Sequence, residues 1–356
     1  MHFVAARHQL WVLSTGPAKL AEVEALNPAV PALRYWKIAG LHGPETRPPA
    51  GDSDWAQVER QNLMAKDALG RPVRQTYNHW YFIDILDPAK RAAWTSLLIA
   101  RLKTELVGYG GVMLDNSNVV HPTLWTAPPD GYTPAKYHDA IHEILRAVKA
   151  ALPDKLVVFN SYEGFADPGL RGPEMLDVAD GIYFEAFAYK TNGGKLFDRP
   201  RLELQLRDFA AAAATGKITV ALDYAKSTDL DRRMLTLAGY LLAAGDRSYL
   251  FFSGVDLHTD IQEYPEQTLD LGAPVDAMTA RDDGLWSRRY ERGVAFVNVN
   301  DGTEVKLDDS LTKNRERLTL VGGGAFPSHG SLSWAPAASS ITVPPMTGVV
   351  LRDAAH

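Results

Sequence analysis

Two acids stand at the ends of apolar runs: Asp115 closes Gly111-Val112-Met113-Leu114, and Glu185 closes Gly181-Ile182-Tyr183-Phe184. Each run has a small first residue, a strand-like apolar body and a carboxylate where the strand should emerge. In a barrel of parallel strands those C-terminal ends carry the catalytic groups. Two carboxyls facing one another there suit glycoside hydrolysis, in which one donates a proton and the other stabilises or attacks the sugar cation. The polar residues Asn116, Ser117 and Asn118 that follow Asp115 can donate hydrogen bonds that keep it ionised. Glu185 instead lies between Phe184 and Ala186-Phe187, where desolvation favours the protonated form. Asp115 is therefore expected to be the nucleophile or charge stabiliser, Glu185 the general acid/base, and the outcome retention.

Other residues near strand ends are candidates for holding a sugar: Tyr35, Trp36, Asp84, Asn116, Trp125, Asn160, Tyr162 and Asp223. Asn, Asp and Tyr supply the acceptors and donors that hydroxyl groups need, and aromatic faces pack on sugar rings. Several chemistries are disfavoured. The chain has no cysteine, no Gly-rich phosphate loop and no Gly-x-Ser-x-Gly elbow around Ser161 or Ser253. His138 and His142 share a helical spacing but lack the His-Glu-x-x-His pattern, so they are expected at the surface rather than on zinc. No metal or other cofactor is anticipated.

The elements that must carry these groups alternate. Strands are expected at Leu10–Leu13, Leu33–Ile38, Trp80–Ile85, Gly111–Asp115, Leu156–Asn160, Ile182–Glu185, Ile218–Asp223 and Tyr249–Ser253. They read as near-continuous apolar runs, the mark of parallel strands covered on both faces. Helices fall between them, two opened by Asp87-Pro88 and Thr133-Pro134, a capping side chain followed by proline at the first helical position. A long rim insertion is expected from about Gly40 to Asp54. The pattern predicts an α/β (β/α)8 TIM barrel over residues 1–280. After Asp282 short strands at close spacing, beginning with Trp286–Tyr290 and Gly293–Val299 around a turn at Glu291-Arg292, predict a small C-terminal antiparallel β-sandwich over 281–356.

The 356 residues, 46% hydrophobic and 22% charged, accommodate one large barrel and a second small domain. A net charge of −6 without a basic run gives no reason to expect nucleic acid as a partner. No uninterrupted apolar stretch is long enough to span a membrane. No signal peptide is visible at Met1-His2-Phe3-Val4, and removal of a leader would point to a secreted or periplasmic setting. The partner expected is a carbohydrate substrate; the sequence leaves the oligomeric state open.

Gly110–Asn116, Val157–Asn160 and Asp180–Glu185 together resemble the hypothetical glycoside hydrolase family 15-like barrels and, more distantly, glycoside hydrolase family 114, the endo-α-1,4-polygalactosaminidases. The resemblance covers roughly residues 8 to 260. It implies a (β/α)8 barrel with an Asp on the fourth strand and a Glu on the sixth, matching Asp115 and Glu185. Val112–Asn118 contains one acid, so the multi-acid motif of chitinase-like barrels is missing and substrate-assisted hydrolysis of an N-acetyl sugar is disfavoured. Two other readings stay open: a carbohydrate-binding barrel without catalysis, and a barrel lyase or isomerase using Asp115 with Lys37 or Lys226.

Overall fold

In a computed structural model, the described residues are 10–14, 17–43, 53–75, 80–117, 125–160, 172–189, 196–253, 261–262, 264–322 and 332–354. They divide into two compact units, Met1–Tyr183 and Phe184–His356.

The first unit holds β1 (Trp11–Leu13), α1 (Pro17–Leu26), β2 (Ala32–Lys37), β3 (Gly40–His42), α2 (Ser53–Arg60), β4 (Trp80–Phe82), α3 (Pro88–Glu105), β5 (Gly111–Asp115), α4 (Pro134–Ala151), β6 (Leu156–Asn160) and β7 (Gly181–Phe184), whose last residue opens the second unit. β1, β2, β5, β6 and β7 run side by side, all parallel. Both proline-opened helices form as their sequences predict. Asp87 accepts from the N–H groups of Ala89 and Lys90 at the start of α3, and Thr133 accepts from Lys136 N at the start of α4. α3 packs behind the sheet with Trp94, Leu98 and Leu102 buried, and the Trp94 indole donates to Ile38 O at 2.7 Å. Gly111 is required where β5 enters the sheet: a Cβ there would lie 2.2 Å from the carbonyl oxygen of Leu156 on β6.

One expected strand goes elsewhere. Trp80–Phe82 pairs antiparallel with Gly40–His42, and β2 pairs directly with β5. A run of three aromatic residues states that a strand forms but not which neighbour it takes. The rim insertion beginning at Gly40 supplies a partner in direct chain continuation of β2.

The second unit begins with a turn after Phe184 and continues through α5 (Arg199–Ala214), β8 (Ile218–Asp223), α6 (Leu230–Ala243), β9 (Ser248–Ser253) and β10 (Ile261–Gln262). β8 and β9 are parallel, and β10 adds antiparallel to β9. The C-terminal strands are β11 (Thr279–Ala280), β12 (Leu285–Tyr290), β13 (Gly293–Asn298), β14 (Val305–Leu307), β15 (Arg315–Thr319), β16 (Ser333–Pro336), β17 (Ile341–Val343) and β18 (Thr347–Asp353), with the short helix α7 (Asp309–Thr312) between β14 and β15. The expected hairpin is present, with Tyr290 opposite Gly293 across Glu291-Arg292. Six strands form one antiparallel sheet in the order β11-β12-β13-β18-β15-β16, while β14 and β17 form a separate pair. Leu285, Val294, Phe296, Val349 and Leu351 of the larger sheet share a core with Val305, Leu307, Ile341 and Val343 of the pair. α6 packs on the larger sheet at Gly348, where a Cβ would sit 2.4 Å from that of Ala238.

Candidate active site

Register and the two-residue alternation of strands decide which side chains meet. Lys37 is opposite Asp115, Leu114 opposite Phe159, and Asn160 opposite Tyr183. The ends of β2, β5 and β6 therefore present Lys37, Asp115 and Asn160 in a row, with Tyr35 two residues back on the same face.

These groups converge on one carboxylate. The Tyr35 hydroxyl donates a short hydrogen bond to Asp115 Oδ2. Asn116 Nδ2 donates to the same oxygen at 3.4 Å, and Lys37 Nζ lies 3.6 Å from it. Asn160 Nδ2 donates to Oδ1 at 2.9 Å. Lys37 is 7% exposed and Asp115 16%, so the pair sits in a largely dehydrated setting, where hydrogen bonds to a charged group are stronger than in water. The ammonium also lies 3.8 Å from the centre of the Trp80 ring, a cation–π contact delivered by the β3–β4 hairpin. The backbone is pinned too. Asp115 O accepts from Ile38 N at 3.0 Å, Ser117 N donates to Asn160 O at 3.1 Å, and the Ser117 hydroxyl turns back to Leu114 O.

Glu185, the first residue after β7, is half-buried in the second unit. Its neighbours are apolar as the sequence indicated: Phe184, Ala186 and Phe187 are all buried. The hydroxyl of Tyr224, the residue after β8, donates to Glu185 Oε1 at 2.6 Å. Both acids are followed by left-handed backbone, Asn116 at φ 58° and Ala186 at φ 59°. Asparagine tolerates that region, whereas alanine pays about 1–2 kcal/mol for it. Strain of this kind persists where surrounding structure over-determines the backbone, which is common around functional groups.

Of the residues expected to hold substrate, Tyr35, Asn116 and Asn160 gather around Asp115, and their polar atoms hold that carboxylate. Tyr162 lies outside the described residues. The other four are placed differently. Trp36 points to the opposite face of β2 from Tyr35, within 6 Å of the guanidinium groups of Arg34 (5.7 Å) and of Arg101 on α3 (5.8 Å). Trp125 is 3% exposed, packed edge-on against Phe82, Tyr132 and Tyr137, and belongs to an aromatic core. Asp84 is tied to the first turn of α3, 2.8 Å from Lys90 Nζ and accepting from Asp87 N at 3.3 Å. Asp223 is fully buried: Arg232 Nε reaches both its oxygens at 2.9 and 3.0 Å, and the Thr236 hydroxyl donates to Oδ2 at 2.7 Å. Burial pushes the Asp223 carboxyl up, against the pull of Arg232 and Thr236. With its oxygens engaged and no exposure, it is a structural acid. His138 is also corrected, being buried on α4 rather than at the surface, while His142 bonds Asp177 at 2.7 Å. Among the described residues no group of three or more His, Asp or Glu has metal-holding geometry.

Lys37 and Tyr224 are the residues that strand-by-strand reading underweighted. Lys37 follows Tyr35 at the two-residue interval that puts both on one face, and that spacing was visible in the chain. The Tyr224 contact depends on a turn that no local pattern encodes.

Comparison with known sequences puts the chain in a class, the glycoside hydrolases. The model of the hypothetical glycosyl hydrolase family 15 matches residues 25–294, and the chain belongs to that family. It is thus a carbohydrate-active hydrolase. Among solved structures, the chain is similar to the glycoside hydrolase domain of PelA from Pseudomonas aeruginosa, with 19% identity, 70% of this chain and 88% of that chain covered, and a TM-score of 0.47. It is also similar to an alpha-amylase from Anoxybacillus, with 10% identity, 100% and 89% coverage and a TM-score of 0.48. A third is the GH36 alpha-galactosidase AgaA from Geobacillus stearothermophilus, with 12% identity, 94% and 46% coverage and a TM-score of 0.47. A search of curated proteins finds no match. Among the described residues no helix is long and apolar enough to cross a membrane.

Proposed function

We propose that this hydrolase cleaves a polysaccharide or oligosaccharide by retention, with Asp115 as nucleophile and Glu185 as general acid/base. The observation that carries the reading is the donor set around Asp115. Oδ2 faces Tyr35, Asn116 and Lys37, whereas among the described residues Oδ1 receives only Asn160. Such a carboxylate is held in place by several donors and keeps lone-pair capacity on one oxygen, as attack on an anomeric carbon requires. Glu185 then protonates the departing oxygen, and in the second step takes a proton from water as it attacks the glycosyl-enzyme. The scaffold that fits is a (β/α)8-type barrel in which the third wall position is given up to the β3–β4 hairpin. The C-terminal sheets fit a β-sandwich domain over 281–356, appended to a barrel over 1–280.

A polysaccharide panel with reducing-end and product analysis tests the assignment. Glu185→Gln should lower kcat by about 10^2–10^4-fold, the usual worth of a general acid/base. Asp115→Asn should lower it further, by roughly 10^4-fold or more, the scale seen when a nucleophile is removed. Near-parental turnover by either variant overturns the reading. Binding without turnover by the parent would instead support a carbohydrate-binding barrel. The anomer first released, read by NMR, decides between retention and inversion.

A further inference from the structure

The turn that carries Glu185 is held by a residue with no other evident task. Gln205 stands in the middle of α5 between apolar neighbours, fully buried, and its amide faces the turn rather than its own helix. Its Oε1 accepts from Ala188 N at 2.7 Å, and its Nε2 donates to Ala186 O at 3.4 Å. Both alanines are left-handed, at φ 59° and 67°, although neither is glycine. Between them Phe187 donates its N–H to Leu222 O of β8 at 2.7 Å and packs its ring against Phe209 of α5. The residues 186–188 are thereby fixed from β8 and from α5. A buried amide that satisfies two backbone groups of a strained turn is costly to lose, since each group would be left unpartnered.

We infer that Gln205 is a positioning residue for Glu185: its amide clamps the left-handed Ala186–Ala188 turn and so sets where the carboxyl lies. The inference rests on the reading of Glu185 as proton donor. Without the clamp the turn has cheaper conformations available, because alanine prefers right-handed or extended backbone. Glu185 would then leave the position in which Tyr224 meets it, and proton delivery would weaken before substrate binding does.

The experiment uses the full chain in four forms: parent, Gln205→Met, Gln205→Glu and Glu185→Gln. Hydrogen exchange by mass spectrometry is followed for the peptide spanning 184–189. Turnover is measured on paired 2,4-dinitrophenyl and phenyl glycosides of glucose, galactose and N-acetylgalactosamine. In Gln205→Met, exchange should rise in 184–189 alone. kcat/KM on the phenyl glycoside should fall by about 10-fold or more, with kcat/KM on the dinitrophenyl glycoside nearly unchanged, because departure of a good leaving group needs no proton. Gln205→Glu keeps the acceptor for Ala188 N and should fall between parent and Gln205→Met; it replaces the latter if that variant does not fold. Unchanged exchange at 184–189, or equal losses of kcat/KM on both leaving groups, overturns the inference. Glu185→Gln separates the two claims: if it lacks leaving-group dependence, the proton-donor reading fails whatever Gln205 does. If it has that dependence and the Gln205 variants do not, only the clamp fails.

Discussion

Asp115 and Asp223 end similar apolar strands, Val112-Met113-Leu114 and Val220-Ala221-Leu222, yet the two sites are built oppositely. Asp115 keeps some exposure and is met mainly by neutral donors, Tyr35, Asn116 and Asn160, with an ammonium 3.6 Å away. Asp223 has no exposure and is gripped by a guanidinium and a threonine hydroxyl, one helical turn apart on α6. The first arrangement leaves an oxygen able to react. The second neutralises and encloses the acid, which ties α6 to β8. A strand-end position thus nominates an acid, and its partners decide whether it does chemistry or holds structure.

The sharpest test exchanges the two effects. Asp115→Asn should abolish hydrolysis while the urea midpoint barely moves. Asp223→Asn should cost about 3–5 kcal/mol of stability, because Arg232 is left buried and uncompensated. A stable, inactive Asp223→Asn would reverse the comparison. Replacing the whole pair, as Asp223→Leu with Arg232→Met, should restore much of that loss, since apolar substitutes for a buried ion pair are often neutral. If the double variant is as unstable as the single, the pair has a role beyond mutual compensation.

A smaller effect is expected at Lys37. Lys37→Met removes the cation beside Asp115 but keeps the apolar stem over Trp80. Near-neutral pH activity should fall only about 10-fold or less, because the other three donors remain. Activity equal to the parent's would mean that the ammonium serves packing alone.

The sequence reading succeeded where a local signal specifies the answer. The proline-opened starts of α3 and α4 and the β12–β13 hairpin each depend on residues within a few positions of one another. The place of Asp115 at the end of β5 was legible for the same reason. Its partners were only partly so: Asn116 is adjacent, but Tyr35, Lys37 and Asn160 arrive from other strands through register. Trp125 looked like a rim aromatic because composition does not say that Phe82, Tyr132 and Tyr137 enclose it. Arg232 and Thr236 mark Asp223 as structural, but that is visible only once α6 is known to fold back on β8.

Asp67 extends the comparison to an acid that braces its own turn, where the smallest effect is expected. It accepts from the N–H groups of Leu69 and Arg71, each at 2.9 Å, and from Arg71 Nε at 2.8 Å. The Arg71 side chain and these backbone donors hold its carboxyl below the ordinary 3.8. A carboxyl lowered on folding binds fewer protons in the native chain than in the unfolded one, so stability rises with pH between the two values. Its contribution is therefore complete above about 3.8 and is lost as pH falls through the folded value. Asp223 has the opposite sign: its raised carboxyl makes the native chain the better proton binder, so that contribution weakens as pH climbs from 3.8 towards the folded value. Urea unfolding of Asp67→Asn across pH 3 to 6 should show a shallower acid limb than the parent, the two curves drawing together as pH falls. A parallel, uniformly displaced curve would mean that Asp67 stabilises its turn by shape and hydrogen bonding alone, with no linkage to its charge.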